Sequence, residues 1–196
     1  MAARPLALLV LLGLLGPALP AAAADPTPVT ALVIIDVQDF YFPGGGLPLH
    51  EPELAGANVA RLLARFRADG RPVIHVRHEA AEGGGIHADV APLANEPVIT
   101  KTEVNAFRGT DLQARLGALG VTDLVLVGMQ THMCLEGAVR AAADLGYACT
   151  VVADACATRD LQWQDRTVAA ADVQASTLAT LRAYATITDT DTYLGR

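Results

Sequence analysis

The chain holds a single lysine, Lys101, among its fourteen basic residues, and the thirteen arginines form no block. A formal charge of −7 without a basic stripe argues against a phosphate-backbone partner, so no nucleic-acid partner is expected. The acidity favours solubility and says little about a substrate. The apolar run from Leu6 to Leu15 falls short of the roughly 20 residues that a membrane span needs. Cysteine is scarce, at three residues, an odd number that suits no closed disulfide framework. Cys149 and Cys156 flank a strand-like run. Stretched, that run spans about 23 Å at roughly 3.3 Å per residue, whereas bridged Cα atoms sit about 5.5 Å apart. The two glycine runs, Gly44 to Gly46 and Gly83 to Gly85, do not stand between a strand and a helix. They therefore read as flexible loops or lids, not as phosphate cradles, and no cofactor is expected.

The first two dozen residues have the order of an export signal. A basic start at Met1 to Arg4 leads into the apolar run, and Ala21 to Ala24 supply a small-residue cleavage site. Cleavage near Ala24 makes residues 1–24 a secretory signal peptide and residues 25–196 one domain, of charge −8 once Arg4 is lost. The product is then exported, periplasmic or secreted. An uncleaved anchor is the alternative.

Beyond the signal, apolar runs alternate with helical patterns. Strands are expected at 30–37, 72–76, 97–100, 123–127, 148–153 and 185–188. Helices are expected at 54–68, 111–119, 131–145 and 165–183, with Thr110 capping the second. Such alternation predicts an α/β fold with a parallel sheet covered on both faces. The first and fourth strands are nearly continuously apolar, as burial on both sides requires. Ligands of such sheets bind beyond the carboxyl ends of the strands. That rule selects Asp36 at the end of the first strand, Lys101 directly after the third, and Cys134 in the first turn of the helix after the fourth.

Each of the three has a chemical reading and an ordinary one. Cys134 near a helix start feels the positive end of the dipole and backbone N–H groups, which favours the nucleophilic thiolate; it also suits a buried structural thiol. Asp36 ends a very apolar strand, where a carboxylate needs a partner or a purpose; it also suits a loop cap. Lys101 can pair with Asp36 and steady developing negative charge; it also suits a solvated surface.

The segments around them decide. ALVIIDVQDF (31–40), TKTEVNAF (100–107) and LVGMQTHMCL (126–135) resemble the three signatures of the isochorismatase-like cysteine hydrolases. AVRAAADLGY (138–147) and VADACATRD (152–160) are similar to later parts of the same superfamily. The resemblance implies a three-layer αβα sandwich whose six-stranded parallel sheet has the order 3-2-1-4-5-6, with Asp36 beside Cys134. It implies a catalytic triad of Asp36, Lys101 and Cys134, and a cis peptide at Met129-Gln130. That bond would aim the Gln130 N–H, together with that of Cys134, into an oxyanion hole. Asp36 would take the thiol proton, pass it to a leaving amine, and then activate water against the thioester.

Departures narrow the expectation. Nicotinamidases carry a metal on an Asp-x-His element after the second strand. Here the stretch is HVRHE (75–79), whose histidines point to opposite faces, so no metal is expected. True isochorismatases act without a cysteine at this position. The leading expectation is a metal-independent hydrolase of a C–N bond in a small amide or lactam. Cleavage of an ester, or silent small-molecule binding, stands as the alternative. Phe42 and Phe107, with Phe40 and Tyr41, are candidate pocket residues or core. His132 and Met133 are candidate substrate contacts. Trp163, expected in a loop, is a candidate contact across an interface, since the family forms dimers and larger homo-oligomers.

Overall fold

The computed structural model describes residues 27–195, so the expected signal segment lies outside the described residues. Among these residues, no helix is long and apolar enough to cross a membrane. The chain runs β1 (Thr30–Ile35), α1 (Pro52–Ala68), β2 (Val73–His78), β3 (Val98–Lys101), α2 (Leu112–Ala118), β4 (Asp123–Met129) and α3 (Glu136–Asp144). It continues with β5 (Ala148–Ala157), β6 (Leu161–Trp163), β7 (Arg166–Val168), α4 (Ala170–Leu181), β8 (Thr186–Thr188) and α5 (Thr190–Leu194). Six strands form one parallel sheet in the order β3-β2-β1-β4-β5-β8. This is the expected order, with β8 as the sixth strand.

Alternation along β1 explains its unbroken apolar character. Ala31, Val33 and Ile35 pack on one face with Leu112 and Leu116 of α2, Ala138, Val139 and Ala142 of α3, and Leu181 of α4. Leu32 and Ile34 pack on the other with Val59, Leu62, Leu63 and Phe66 of α1. Both faces are therefore dry, and a polar residue inside β1 would have no water to turn to. Phe66 is fully buried, so truncating it to Ala should cost about 3–5 kcal/mol. The stop after α1 is the expected one. Gly70 takes φ +65, the Gly70 N–H bonds Arg67 O, and the Arg71 N–H bonds Phe66 O.

β1 and β4 lie unusually close at their carboxyl ends. Gly128 stands at φ +122, and a Cβ there would fall 1.9 Å from the Ile35 carbonyl oxygen. Only glycine permits that approach, and it draws the end of β1 against the turn that carries the cysteine.

Several boundaries differ from expectation. α1 starts at Pro52, in the first turn where a missing N–H costs nothing. Lys101 is the last residue of β3, not the residue after it. Thr110 does accept the Leu112 N–H, yet the residue bordering α2 is Asp111, whose side chain caps nothing. The expected helix from 131 opens as a wide π-turn, Thr131–Leu135, before α3 begins. The helix expected over 165–183 is instead a β6–β7 hairpin followed by α4. Asp165 lies in the turn beside Gln164, which takes φ +55, and Trp163 stands in β6, largely exposed. β5 is longer than expected because it bulges: Leu126 pairs with Val151, and then Gly128 with Cys156. Cys149 and Cys156 thus share one extended strand, and all three cysteines are free thiols. The glycine runs are not free loops. Phe40 donates its N–H to Gly83 O, Gln38 bridges to Ile86, and a Cβ on Gly45 would meet Phe40 O at 2.5 Å.

Candidate active site

β1, β3 and β4 deliver one group each to the carboxyl edge of the sheet. Asp36 follows β1 with φ +50, a left-handed turn that aspartate tolerates better than most residues. Its side chain is fully buried, as is that of Lys101. Lys101 Nζ lies 2.8 Å from Asp36 Oδ2 and 3.2 Å from Cys134 Sγ. Asp36 Oδ1 has no hydrogen-bond partner, and the Oδ2 contact is an ion pair without good hydrogen-bond alignment. The ammonium therefore sits between the carboxylate and the thiol.

Burial decides the protonation states. Desolvation raises the Asp36 carboxyl above its usual range, with Lys101 pulling the other way. The Cys134 thiol is pushed up to about 12, by burial first and by the Asp36 charge second. Burial therefore opposes the pull of the helix start toward the thiolate. A dipole contributes about 1 kcal/mol near a surface, and removing the thiolate from water outweighs it here. At rest the sulfur carries its proton, beside a carboxylate that is a stronger base than an exposed one. The other thiols are also raised by burial, Cys149 to about 11 and Cys156 to about 12.

The Met129-Gln130 peptide is cis. The Gln130 side chain links two groups: Nε2 donates to the Tyr41 hydroxyl at 3.3 Å, and Oε1 accepts from Arg159 Nε at 3.1 Å. Burial, with a smaller push from the Asp36 charge, raises the Tyr41 phenol to about 12.

The remaining candidates divide. His132 Nδ1 pairs with Thr158 Oγ1 at 2.6 Å, and Met133 is 38% exposed on the same turn. Phe107 packs on the cluster that contains Cys134 and stacks near Tyr147. Phe42 is buried on the α1 side among core residues, its ring stacked on His87 at 3.6 Å and 3.3 Å from where a Cβ on Gly56 would stand. The two histidines of HVRHE part company as expected. His75 Nε2 meets Glu96 Oε2 at 3.0 Å, while His78 Nδ1 lies 3.3 Å from Lys101 Nζ. Among the described residues, no three His, Cys, Asp or Glu side chains gather in a way that could hold a metal ion.

Residues missed from the sequence are His78, Gln38, Arg159 and Thr158. The last two lie in VADACATRD, and Gln38 two residues beyond Asp36, so proximity to the motifs was the available signal. A cleft of about 600 Å³, lined by Leu54, Asn58, Asp154, Gln174 and Leu178, reaches Cys156 and Thr158 but includes none of the triad. Volume alone favours that cleft, whereas the buried Asp36, Lys101 and Cys134 gather at the strand ends.

A doubly covered parallel sheet with a buried Asp–Lys–Cys group at its switch point defines a class of α/β hydrolases. A family model, the isochorismatase domain, matches residues 30–189. The isochorismatase family protein YddQ of Bacillus subtilis is 44% identical over 177 residues, covering 84% of this chain and 98% of that one. The ureidoacrylate amidohydrolase RutB of Methylobacterium radiotolerans is 30% identical, covering 73% of this chain and 72% of its own. A crystal structure of an isochorismatase hydrolase from Oleispira antarctica superposes with a TM-score of 0.84 at 41% identity, over 89% of this chain and all of that one. The chain belongs to the isochorismatase family of hydrolases.

Proposed function

We propose that the protein is a cysteine hydrolase that cleaves a C–N bond of a small amide or lactam through a thioester. The observation that carries this is the buried Lys101 ammonium in contact with both Asp36 and Cys134. A buried carboxyl with a raised pKa beside a buried protonated thiol is a proton acceptor and donor held ready for each other.

The steps follow from that pairing. The Cys134 proton passes to Asp36 as Sγ bonds the carbonyl carbon, and the carbonyl electrons move to oxygen. The backbone N–H groups of Gln130 and Cys134 receive that oxyanion, which is the role given to the turn after β4. The C–N bond then breaks, and the Asp36 proton goes to the departing nitrogen. Water next gives a proton to Asp36 and attacks the thioester. The C–S bond breaks, an acid is released, and the proton returns to sulfur. Lys101 stays charged throughout, offsetting whichever of Asp36 and Cys134 is anionic. An ester could enter the same path, but only a nitrogen leaving group needs the returned proton so strongly. The amidohydrolase name of one relative supports the nitrogen reading.

No step requires a metal. The Asp-x-His element is missing and His75 is committed to Glu96, so chelator-treated protein should keep its activity. Residues 1–24 are proposed as a cleaved signal, and the active form as an exported homodimer or larger homo-oligomer acting on a small molecule. A panel of small amides and lactams, assayed for ammonia or amine release, tests the function. At least one should be turned over by the wild type and by no Cys134→Ser protein. Turnover of esters alone would replace the amide reading with the ester one.

A further inference from the structure

We propose that His78 is a positioning residue: it holds the Lys101 ammonium in register between Asp36 and Cys134 by accepting its third hydrogen. The inference rests on the hydrolase reading above and adds a residue that the three signatures do not contain.

Lys101 is fully buried, so each of its three N–H bonds needs a protein acceptor. The three groups that face them are Asp36 Oδ2, held as an ion pair at 2.8 Å, Cys134 Sγ at 3.2 Å and His78 Nδ1 at 3.3 Å. An ammonium has no lone pair, so Nδ1 must accept. That fixes the imidazole as the neutral tautomer with its proton on Nε2. The contact is built by the sheet: β2 and β3 pair in parallel with His78 opposite Lys101, so the two side chains leave the same face.

The backbone of His78 is clamped as well. The fully buried Gln38 accepts the His78 N–H at 2.8 Å through Oε1 and donates to the His78 carbonyl at 2.9 Å through Nε2. The same Nε2 reaches Gly84 O at 2.9 Å. A glutamine two residues after the proposed base thus fixes the strand end that presents the imidazole. Without the third acceptor, a buried N–H is left unsatisfied, and the ammonium is free to turn away from sulfur toward any remaining oxygen. Since Lys101 must offset charge that moves from Asp36 to Cys134, its placement bears on the chemical step more than on substrate binding.

Two variants of the full chain separate positioning from packing. His78→Asn keeps an acceptor near the Nδ1 position, and His78→Leu keeps bulk without one. The readouts are the iodoacetamide alkylation rate of Cys134, followed by peptide mass spectrometry, and kcat and KM on the amide turned over fastest in the panel. His78→Leu should lower kcat about tenfold to a hundredfold with KM changed less than about threefold, and should slow alkylation. His78→Asn should recover most of both. Equal losses in Asn and Leu, or wild-type rates in Leu, would overturn the proposal. Cys134→Ala in parallel separates the two failures. If it retains turnover, the hydrolase reading fails; if it is inactive while His78→Leu matches wild type, only the positioning role fails.

Discussion

Two carboxylates next to the sheet, the buried Asp36 after β1 and the half-buried Glu96 before β3, each lie beside a cation and a histidine, and they behave in opposite ways. Glu96 takes two guanidinium contacts from Arg67, at 2.7 Å each, the Leu93 N–H at 2.8 Å, and His75 at 3.0 Å. Its pKa falls to about 2, Arg67 being the main cause. Asp36 has Lys101 but an unpartnered Oδ1, and burial raises its pKa. The ingredients are alike, and the number of donors differs. A carboxylate given four donors is a fixed anion that ties α1 to the segment before β3. One given a shared ammonium remains able to take a proton, which is what a base must do.

The largest effects should separate the two by activity. Asp36→Asn should lower turnover by at least about a thousandfold in steady-state assays, since base and acid functions vanish together. Glu96→Gln should leave kcat within about threefold of wild type. Stability should rank them differently. Glu96→Gln leaves Arg67 short of its partner and should cost about 2–3 kcal/mol in urea unfolding, whereas Cys134→Ala should cost less than about 1.5 kcal/mol.

The pH dependences should run in distinct windows. Glu96 has a folded pKa below its unfolded one. Its contribution is fully present above about pH 4.5 and fades as pH falls toward 2. Glu96→Gln should therefore flatten the stability curve between those limits, as followed by urea midpoints. Asp36 has a raised pKa, so the acid limb of kcat/KM should lie above the usual aspartate value of 3.8. Lys101 is the main group lowering it, so in Lys101→Met whatever activity survives should have its acid limb moved to higher pH. A limb that moved down would break the assignment of Asp36 as the base. The smallest effect is expected at Trp163, which is 70% exposed. Trp163→Ala should leave the unfolding midpoint of the isolated chain unchanged within error, and a change in sedimentation would mark it as an interface residue.

The Asp36 side of this contrast was legible in the sequence, and the Glu96 side was not. The apolar runs of β1 and β4 and the placement of Asp36, Lys101 and Cys134 at strand ends were enough to gather the three residues, because parallel strands send their carboxyl ends to one edge. The helix expected over 165–183 was right from Ala170 to Leu181 and wrong at its start, because a two-residue turn at Gln164 and Asp165 is weak punctuation. The burial that pushes the Cys134 thiol up was not legible, because helix position is local while burial is a property of the assembled sheet. His78 escaped notice for a similar reason. Strand register, which sets it opposite Lys101, is not written in either strand alone. Phe42 shows the limit for pockets: its ring is taken up by stacking on His87, a partner distant in sequence.

The central claim is that Cys134 forms the covalent intermediate with Asp36 as its base. Acid quenching of the full chain during turnover of a slow panel amide, followed by peptide mass spectrometry, tests it most directly. The account predicts an acyl mass on the peptide containing Cys134, none on those containing Cys149 or Cys156, and no adduct in Asp36→Asn over the same interval. An acyl group on Cys156, with wild-type turnover retained in Cys134→Ala, would contradict it.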